Sequence, residues 1–236
     1  MATPAPPRPR APRRLLIGLV VLALVLLAAD RIGKYGAERI AGDTIQNSQH
    51  LPSRPEVDVA GFPFLTQFAA GDYGEITLTS SDVPVGTGST ALTVTQLRVV
   101  LHQVTVSRNF SSFHADSAAA NGLIDYTQLG KALGVTLRYA GDGRVHASKT
   151  VTVLGRQFTG SITAEPRIVN DSLSFAGVQV DGANSLAQEA VALLTKVFDV
   201  SLPLQGLPFH VRVKSVTVAP AGLRIVLTGA DLSYSK

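Results

Sequence analysis

Residues Glu56–Thr79 read EVDVAGFPFLTQFAAGDYGEITLT, and both ends of this stretch alternate apolar and polar residues. Val57 and Val59 alternate before the centre, and Ile76 and Leu78 alternate after it, with the period of two that is typical of β-strands. The connection between them, GFPFLTQF, holds three of the nine phenylalanines of the chain. Connections usually run over the surface and are polar. The stretch therefore predicts two strands whose connection meets something apolar.

The apolar side chains of this connection, and of a shorter relative near the other end of the chain, are the candidate binding residues. GLPF (Gly206–Phe209) places Phe after Pro just before another strand-like run. Exposed apolar patches usually mark membrane, partner or ligand sites, whereas side chains that plug one end of a core are buried. The sequence leaves both explanations open. The candidates are Phe62, Phe64, Leu65, Phe68, Leu207 and Phe209.

Strand-like alternation continues through most of the chain. Thr90–Ser107 predicts a long strand whose apolar positions change parity between Leu101 and Val104, which predicts a β-bulge. VVLHQVTV at 99–106 resembles VRVKSVTV at 211–218. Either two bent strands have equivalent positions in one curved sheet, or Val/Thr-rich strands resemble one another by chance. Further antiparallel strands are predicted at Val135–Tyr139, Arg144–Leu154, Gln157–Ile168, Leu173–Val180, Phe209–Val218 and Leu223–Tyr234.

Helical spacing is confined to a few segments. Asp30–Leu51 carries apolar residues along one stripe. A short helix is predicted to begin at Asp125 as its N-cap and to end at Gly134. Ser185–Val197 opens on a capping-box pattern and carries an apolar stripe at steps of three and four. The sequence predicts an α+β fold, in which an elongated, bent antiparallel sheet is covered by two amphipathic helices and preceded by an apolar helix.

The N-terminus has the pattern of a membrane-targeting segment. Residues 1–14, MATPAPPRPRAPRR, are predicted to form a disordered tail, because proline opposes helix and the segment has no core residues. Leu15–Ala29 is fifteen uncharged residues, at the border between a signal-peptide core and a membrane-spanning helix. Since the arginines precede this run, the tail is predicted to stay in the cytoplasm. Residues 30–236 are then an exported domain at the outer side of the cytoplasmic membrane, anchored or released by cleavage.

Composition narrows the classes of function. Four of the 21 basic residues lie in the first fourteen positions, and the remaining 17 equal the 17 acidic residues. The net charge of +4 therefore belongs to the tail, and no basic cluster on a folded face suggests nucleic-acid binding. The chain has no cysteine, which excludes disulfides, thiolate metal sites and cysteine nucleophiles.

Motifs for catalysis are not apparent. The five histidines are scattered without a metal-binding spacing, and no G-x-S-x-G nucleophile motif is present. GTGSTA at 86–91 matches the letters of a dinucleotide-binding turn, but a β-rich run follows it, so it is interpreted as a flexible turn. Carboxylates sit mostly at turns and caps, where Asp has backbone roles. We predict no catalytic residue, metal or cofactor; the carboxylates considered are Asp116, Asp125, Glu165, Asp171 and Asp181.

Several of these segments together resemble a known family. They are P-E-V-x-V-x-G-F-P-F-L-T-Q (Pro55–Gln67), G-x-Y-x-E-I-x-L-T (Gly71–Thr79) and L-P-L-x-x-L-P-F (Leu202–Phe209), followed by S-V-T-V and a strand at Gly222. The chain over Asp30–Lys236 resembles the actinobacterial lipomannan elongation factor A family of phospholipid-binding envelope proteins. The G-F-P-F-L-T-Q segment is the most specific part of this resemblance.

The resemblance implies a curved sheet wrapped on helices around an apolar cavity, similar to the tubular lipid-binding fold of bactericidal permeability-increasing proteins. It further implies non-enzymatic binding of an anionic phospholipid, phosphatidylinositol in particular, and support of mannosylated lipid synthesis. No basic residue directly follows the phenylalanine cluster, so a cation for a headgroup phosphate must come from elsewhere. Candidates are Arg54, Arg98, Arg138, Arg156 and Arg212.

Two other functions stay open at this point. One is an envelope enzyme that acts on glycolipid with Asp or Glu as acid and base, since such pairs meet in space rather than in sequence. The other is a scaffold that recruits envelope glycosyltransferases through an exposed apolar patch. The sequence leaves the oligomeric state open.

Overall fold

The computed structural model describes residues 11–85, 92–107, 112–153, 156–170, 172–180, 192, 195–196, 202–203 and 212–235. Helix α1 (Ala11–Gln49) joins the apolar run and the amphipathic segment after it into one continuous helix. It begins four residues before the apolar run, and Pro12 lies in its first turn. Backbone N–H groups of the first turn have no acceptor within the helix, so a proline there costs no helical hydrogen bond. The helix ends before Pro52, as predicted.

The rest of the described chain is mainly β-strand, which confirms the predicted α+β class with antiparallel pairing. The strands are β1 (Glu56–Val59), β2 (Asp72–Val85), β3 (Leu92–Val106), β4 (Ser112–Asp125), β5 (Thr136–Gly141), β6 (Arg144–Val153), β7 (Arg156–Val169), β8 (Ser172–Val180), β9 (Leu202–Pro203), β10 (Arg212–Ala219) and β11 (Gly222–Ser235). Two short helices interrupt them, α2 (Phe64–Ala70) and α3 (Tyr126–Leu133).

The described strands divide between two sheets instead of forming the single sheet that the sequence suggested. One has the order β1-β2-β3-β4-β11-β10, and the other has the order β5-β6-β7-β8-β9. They meet where β10 packs against β7 and β5. Buried side chains of both sheets join one apolar core, to which α3 contributes Leu129 and α1 contributes Ala41 and Ile45. The amphipathic half of α1 thus packs directly on the six-stranded sheet.

The predicted change of parity in β3 is present, but the β-bulge that was meant to explain it is not. Leu101 and Val104 are both buried, yet Leu101 pairs with Ile76 and Val104 with Tyr73 in an unshifted register. Between them, Gln103 has a positive φ of 51°. A left-handed residue reverses the side on which the next side chains lie without adding a residue to the strand. The prediction of a bulge at this point was therefore wrong.

The same device recurs elsewhere in the six-stranded sheet. Asp82 in β2 has φ 54° and Asp231 in β11 has φ 50°. Each separates buried residues of opposite parity, as between Leu227 and Leu232 in β11. Aspartate tolerates this conformation better than most residues. The left-handed residues keep the apolar side chains on one face of the long strands.

The strand that resembled β3 near the C-terminus lies in the same sheet. β10 forms the edge, whereas β3 lies inside, and the register between β10 and β11 shifts between Val213 and Ser215. A bulge is therefore present in β10 and absent from β3. The two strands share a sheet but change parity by different means.

Helix α3 has the predicted ends. The Asp125 side chain accepts hydrogen bonds from the backbone N–H groups of Thr127 and Gln128, and Gly134 closes the helix with φ 66°. An N-cap aspartate and a left-handed glycine satisfy the terminal backbone groups of a short helix. The phenol of Tyr126 donates to the carbonyl oxygen of Ala219 at 2.6 Å, which ties α3 to the end of β10.

Several predicted features lie outside the described residues. They are residues 1–10 of the tail, the GTGSTA turn at 86–91, most of the amphipathic helix at 185–197 and the GLPF segment at 206–209. The candidate residues Leu207 and Phe209 fall in this last segment.

Candidate functional site

The GFPFLTQF connection forms a short helix instead of a loop. Pro63 is the N-cap, with φ −74° and ψ 142°, and Phe64–Ala70 are helical. Gly71 ends the helix with φ 72°, and its N–H donates to the carbonyl oxygens of Gln67 and Phe68. Proline at the start and glycine after the end is the usual asymmetry of helix termini. The apolar residues therefore occupy a helix with two faces, and they need not all point the same way.

The four apolar side chains around α2 divide between the core and the exterior. Phe64 is 2% exposed and packs against the rings of Tyr73 and Phe68, with centroids 6.4 and 5.8 Å away. Phe62, Leu65 and Phe68 are 59%, 41% and 45% exposed. The core explanation therefore holds for Phe64, whereas the other three side chains are exposed. Phe62, Leu65 and Phe68 are called the α2 apolar surface below.

Helix α1 fixes the position of α2. One carboxylate oxygen of Asp30, Oδ1, accepts a hydrogen bond from the backbone N–H of Leu65 at 2.9 Å, and Asp30 is 3% exposed. A Cβ atom at Gly33 would lie 3.1 Å from the Leu65 side chain, so the two helices approach closely at this glycine. The amide of Gln67 also donates to the carbonyl oxygen of Ala60 at 3.3 Å. The α2 apolar surface thus lies beside α1, at the level where the apolar run of α1 ends.

The cation next to this surface is Arg31, which the sequence analysis did not propose. Its guanidinium carbon lies 5.1 Å from the ring centroid of Phe62, and its side chain is 54% exposed. Stacking of Arg on an aromatic face is attractive and leaves the guanidinium donors free for other partners. The sequence signal was present, because Arg31 is the first basic residue after the apolar run.

The five arginines proposed from the sequence have other positions. Arg54 pairs with Asp43 at 3.3 Å, near the far end of α1. Arg98, Arg138 and Arg212 are exposed on β3, β5 and β10, and the side chain of Arg156 lies outside the described residues.

The N-terminal part of α1 exposes its apolar side chains. The helix is long and apolar enough to cross a membrane, by length and composition, and 6% of its most apolar window is buried. Beyond Asp30 the exposed apolar side chains continue with Ile32 (73%) and Tyr35 (65%). The same part of α1 also contacts β1, where Lys34 donates to Asp58 at 2.9 Å and Glu38 accepts from the Val59 N–H at 2.8 Å. Helix α1 therefore exposes apolar side chains in its N-terminal part and packs against the folded domain in the part that follows Asp30.

An apolar groove lies between the C-terminal part of α1 and the six-stranded sheet. It has a volume of about 70 Å³ and is lined mainly by Ile45, Leu51, Leu78, Val83, Leu97 and Val99. An apolar cavity of about 150 Å³ takes a single benzene molecule, so this groove is too small for an acyl chain. This groove is therefore not the apolar cavity that the resemblance implies.

The carboxylates that the sequence analysis considered have structural or solvent-exposed positions where they are described. Asp125 caps α3, Asp116 contacts His114 at 3.3 Å and Glu165 contacts Arg167 at 3.1 Å. Asp171 and Asp181 lie outside the described residues. Within the described part of the chain, no group of three or more His, Asp or Glu residues is placed to hold a metal ion.

Comparison with protein families gives a match over most of the chain. The model of a family described as LmeA-like phospholipid-binding matches residues 28–228, from the end of the apolar run of α1 into β11. No curated protein and no solved structure matches the chain. The match confirms the resemblance carried by the G-F-P-F-L-T-Q segment.

Proposed function

The chain belongs to the LmeA-like phospholipid-binding family, and from this premise we propose that it holds single anionic phospholipid molecules at the outer face of the cytoplasmic membrane. Phosphatidylinositol is the proposed ligand, and support of lipomannan and related mannosylated lipid synthesis is the proposed role. The proposed action is non-enzymatic, as binding or transfer of the lipid. Its partners are then the phospholipid, the membrane and the glycosyltransferases that use the lipid.

The observation that carries the proposal is the pairing of the α2 apolar surface with Arg31. Three apolar side chains are exposed there, and the guanidinium of Arg31 stacks on one of them. An anionic phospholipid offers the complementary chemistry, because burial of its acyl chains is favourable by ~0.8 kcal/mol per CH₂. A guanidinium donates paired hydrogen bonds to a phosphate.

We assign Phe62, Leu65 and Phe68 to lipid contact, and Phe64 to holding their helix from the core. Leu207 and Phe209 are proposed as a second set of lipid contacts, since GLPF repeats the Phe-containing pattern of the first segment. The acyl chains need more room than the 70 Å³ groove beside α1 provides. We therefore propose that the acyl chains contact the α2 apolar surface and not this groove.

The arrangement of the chain across the membrane follows from its charges. Residues 1–14 are proposed to be cytoplasmic, residues 15–29 to be the anchor, and residues 30–236 to be the exported lipid-binding domain. The support is the cluster of arginines before the apolar run, which retains a segment on the cytoplasmic side.

The test is to identify lipid on the full chain after purification in mild detergent. Native mass spectrometry and lipid extraction should detect bound phospholipid enriched in phosphatidylinositol over its share of the host membrane. Phospholipid should also exchange into the protein from vesicles. If no phospholipid is retained and none exchanges in, the proposed function is wrong.

The exposure of the α2 apolar surface also favours a second candidate function, the recruitment of envelope glycosyltransferases. For this test Phe68 is the suitable position, since Phe64 is buried and its substitution would disturb the core. If recruitment is the function, Phe68→Asp abolishes capture of the enzymes and leaves the retained lipid unchanged. If lipid binding is the function, Phe68→Asp lowers the retained lipid.

A further inference from the structure

The apolar run of α1 is shorter than the membrane it is proposed to cross. Leu15–Ala29 contains fifteen residues, which span about 22 Å at 1.5 Å per residue. The hydrocarbon core of a bilayer is about 30 Å thick. Helix α1 itself continues without interruption to Gln49. The side chains that follow Ala29 therefore decide where the outer boundary of the hydrocarbon falls.

Asp30 is the first charged residue after the apolar run, and its side chain is buried. It is 3% exposed because α2 lies over it, and its Oδ1 accepts the Leu65 N–H. Its second oxygen lies 4.0 Å from the guanidinium of Arg31. A carboxylate held in this way need not contact lipid, which is where a charged side chain is costly.

The side chains that α1 does expose after Ala29 suit a membrane boundary. Ile32 is 73% exposed and apolar, and Tyr35 is 65% exposed. Tyrosine is enriched where helices leave the hydrocarbon, and long basic side chains such as that of Arg31 extend towards the headgroups. Extending the apolar segment from Leu15 to Ile32 gives eighteen residues, or about 27 Å of helix.

We propose that the outer hydrocarbon boundary lies at Ile32 and that α2 lies in the same interface as a second membrane contact. The α2 apolar surface enters the boundary between headgroups and acyl chains, and Arg31 binds lipid phosphate. The hydrogen bond between Asp30 and Leu65 places the start of α2 level with the end of the apolar run. Interfacial helices bury an apolar face by about 5–10 Å, which is within reach of α2 in this position.

This arrangement fixes the orientation of the domain on the membrane. A single membrane-crossing helix leaves the domain free to rotate about the helix axis. Two contacts, α1 and α2, prevent this rotation, and the bonds of Lys34 to Asp58 and of Glu38 to Val59 extend the constraint to β1. The exported sheets then present the same side to the bilayer in every molecule.

A lipid surface fits the α2 apolar surface better than a protein partner does. Exposed apolar side chains are present on both elements at this level, Ile32 on α1 and Phe62 and Leu65 at α2. The cation beside them is complementary to lipid phosphate. The inference rests on the membrane arrangement given under the proposed function but not on lipid holding, because the contact forms whether or not the domain holds a lipid molecule of its own.

The chain has no cysteine, so single cysteines can report depth in the membrane. Leu65→Cys and Phe68→Cys test the surface. Thr228→Cys is the control, since Thr228 is exposed on β11, three strands from β2. The full chain is labelled with an environment-sensitive fluorophore and reconstituted in phosphatidylcholine–phosphatidylinositol vesicles, with or without brominated acyl chains. Brominated lipid should reduce the fluorescence at positions 65 and 68 and leave that at position 228 unchanged.

A second variant separates insertion of α2 from mere proximity to the bilayer. Asp30→Ala removes the acceptor for the Leu65 N–H, so the quenching at position 68 should fall. If labels at 65 and 68 are quenched no more than the label at 228, the inference is overturned, and the surface is left for a protein partner. Quenching at 65 and 68 in a protein that retains no phospholipid would overturn the proposed function and leave this inference standing.

Discussion

Asp30 of α1 caps a helix that begins more than thirty residues later, through a hydrogen bond of 2.9 Å from the Leu65 N–H to its carboxylate. Pro63, the residue at the N-cap of α2, has no side-chain oxygen with which to cap it. The first N–H groups of a helix have no partner within the helix. Asp30 therefore accepts the hydrogen bond that the side chain of a Ser or Asp at the N-cap position itself usually accepts. The bond makes the placement of α2 depend on α1.

Loss of this cap should destabilise the α1–α2 junction. Asp30→Ala should lower the free energy of unfolding by about 1.5–3 kcal/mol, the range for hydrogen bonds to charged groups. Asp30→Asn keeps an oxygen acceptor and should cost less. Urea denaturation of the full chain in detergent, followed by far-UV circular dichroism, measures both. Equal losses in the two variants would show that the hydrogen bond is not what the aspartate contributes.

The division of the phenylalanines between core and exterior predicts two different responses to truncation. Phe64→Ala removes a ring that is 2% exposed, and should cost about 3–5 kcal/mol of folding free energy. Phe68→Ala, at a ring that is 45% exposed, should cost about 1 kcal/mol. Thermal unfolding of the two variants in the same detergent compares them. If Phe68→Ala is as damaging as Phe64→Ala, Phe68 belongs to the core and not to the exterior.

The fold was largely predictable from the sequence, because its strands and α3 obey local rules. Alternation of apolar residues marked β1 and β2, and Asp125 and Gly134 marked the two ends of α3. The parity change in β3 was also visible, but its cause was not. A left-handed Gln103 and a bulge leave the same pattern of apolar letters, and only the register of the paired strands distinguishes them.

The candidate site was predictable in composition and not in geometry. The sequence identified the apolar residues of GFPFLTQF but treated the segment as a connection, because Pro63 and Gly71 are also turn residues. Which rings point outwards depends on the helical periodicity of α2. This helix has seven residues, too few for the periodicity to be visible in the sequence. Arg31 was missed because its contact with Phe62 joins residues far apart in the chain.

If Arg31 binds lipid phosphate, its charge should decide how much anionic lipid the protein retains. Arg31→Gln should lower the ratio of phosphatidylinositol to phosphatidylcholine that co-purifies with the full chain. Arg54→Gln is the matched control, since Arg54 follows α1 and pairs with Asp43 near the C-terminal end of that helix. Quantitative lipid mass spectrometry gives the ratios. A similar fall in both variants would point to net charge, and no fall in either would exclude Arg31 as the phosphate ligand.

The left-handed residue in β3 should be a position where glycine stabilises a strand. The left-handed conformation costs a non-glycine residue about 1–2 kcal/mol. This exceeds the ~0.5–1 kcal/mol that glycine costs because it loses more chain entropy on folding. Gln103→Gly should therefore raise the free energy of unfolding by about 0.5–1 kcal/mol. Gln96→Gly, at an exposed position of β3 outside the positive-φ set, should lower it. Destabilisation by Gln103→Gly would show that its side chain contributes more than its backbone costs.

The bond between Tyr126 and Ala219 predicts a pH dependence at the alkaline end. Burial raises the pKa of Tyr126 to about 12, with a smaller contribution from Tyr139, against an ordinary value of 10.0. The folded protein favours the neutral phenol, so this contribution to stability is complete below pH 10 and is lost as the pH rises towards 12. Tyr126→Phe keeps the ring but removes the donor, and should cost about 0.5–1.5 kcal/mol at neutral pH.

The difference in free energy of unfolding between the wild-type protein and Tyr126→Phe should therefore shrink above pH 10. Urea titrations at a series of pH values measure this difference, with far-UV circular dichroism as the signal because the chain has no tryptophan. Tyr35→Phe is the control, since the Tyr35 side chain is 65% exposed on α1 and takes no part in the attachment of α3. A difference that stays constant up to pH 12 would mean that the phenol of Tyr126 is not protected by the fold. The attachment of α3 to the end of β10 would then rest on packing alone.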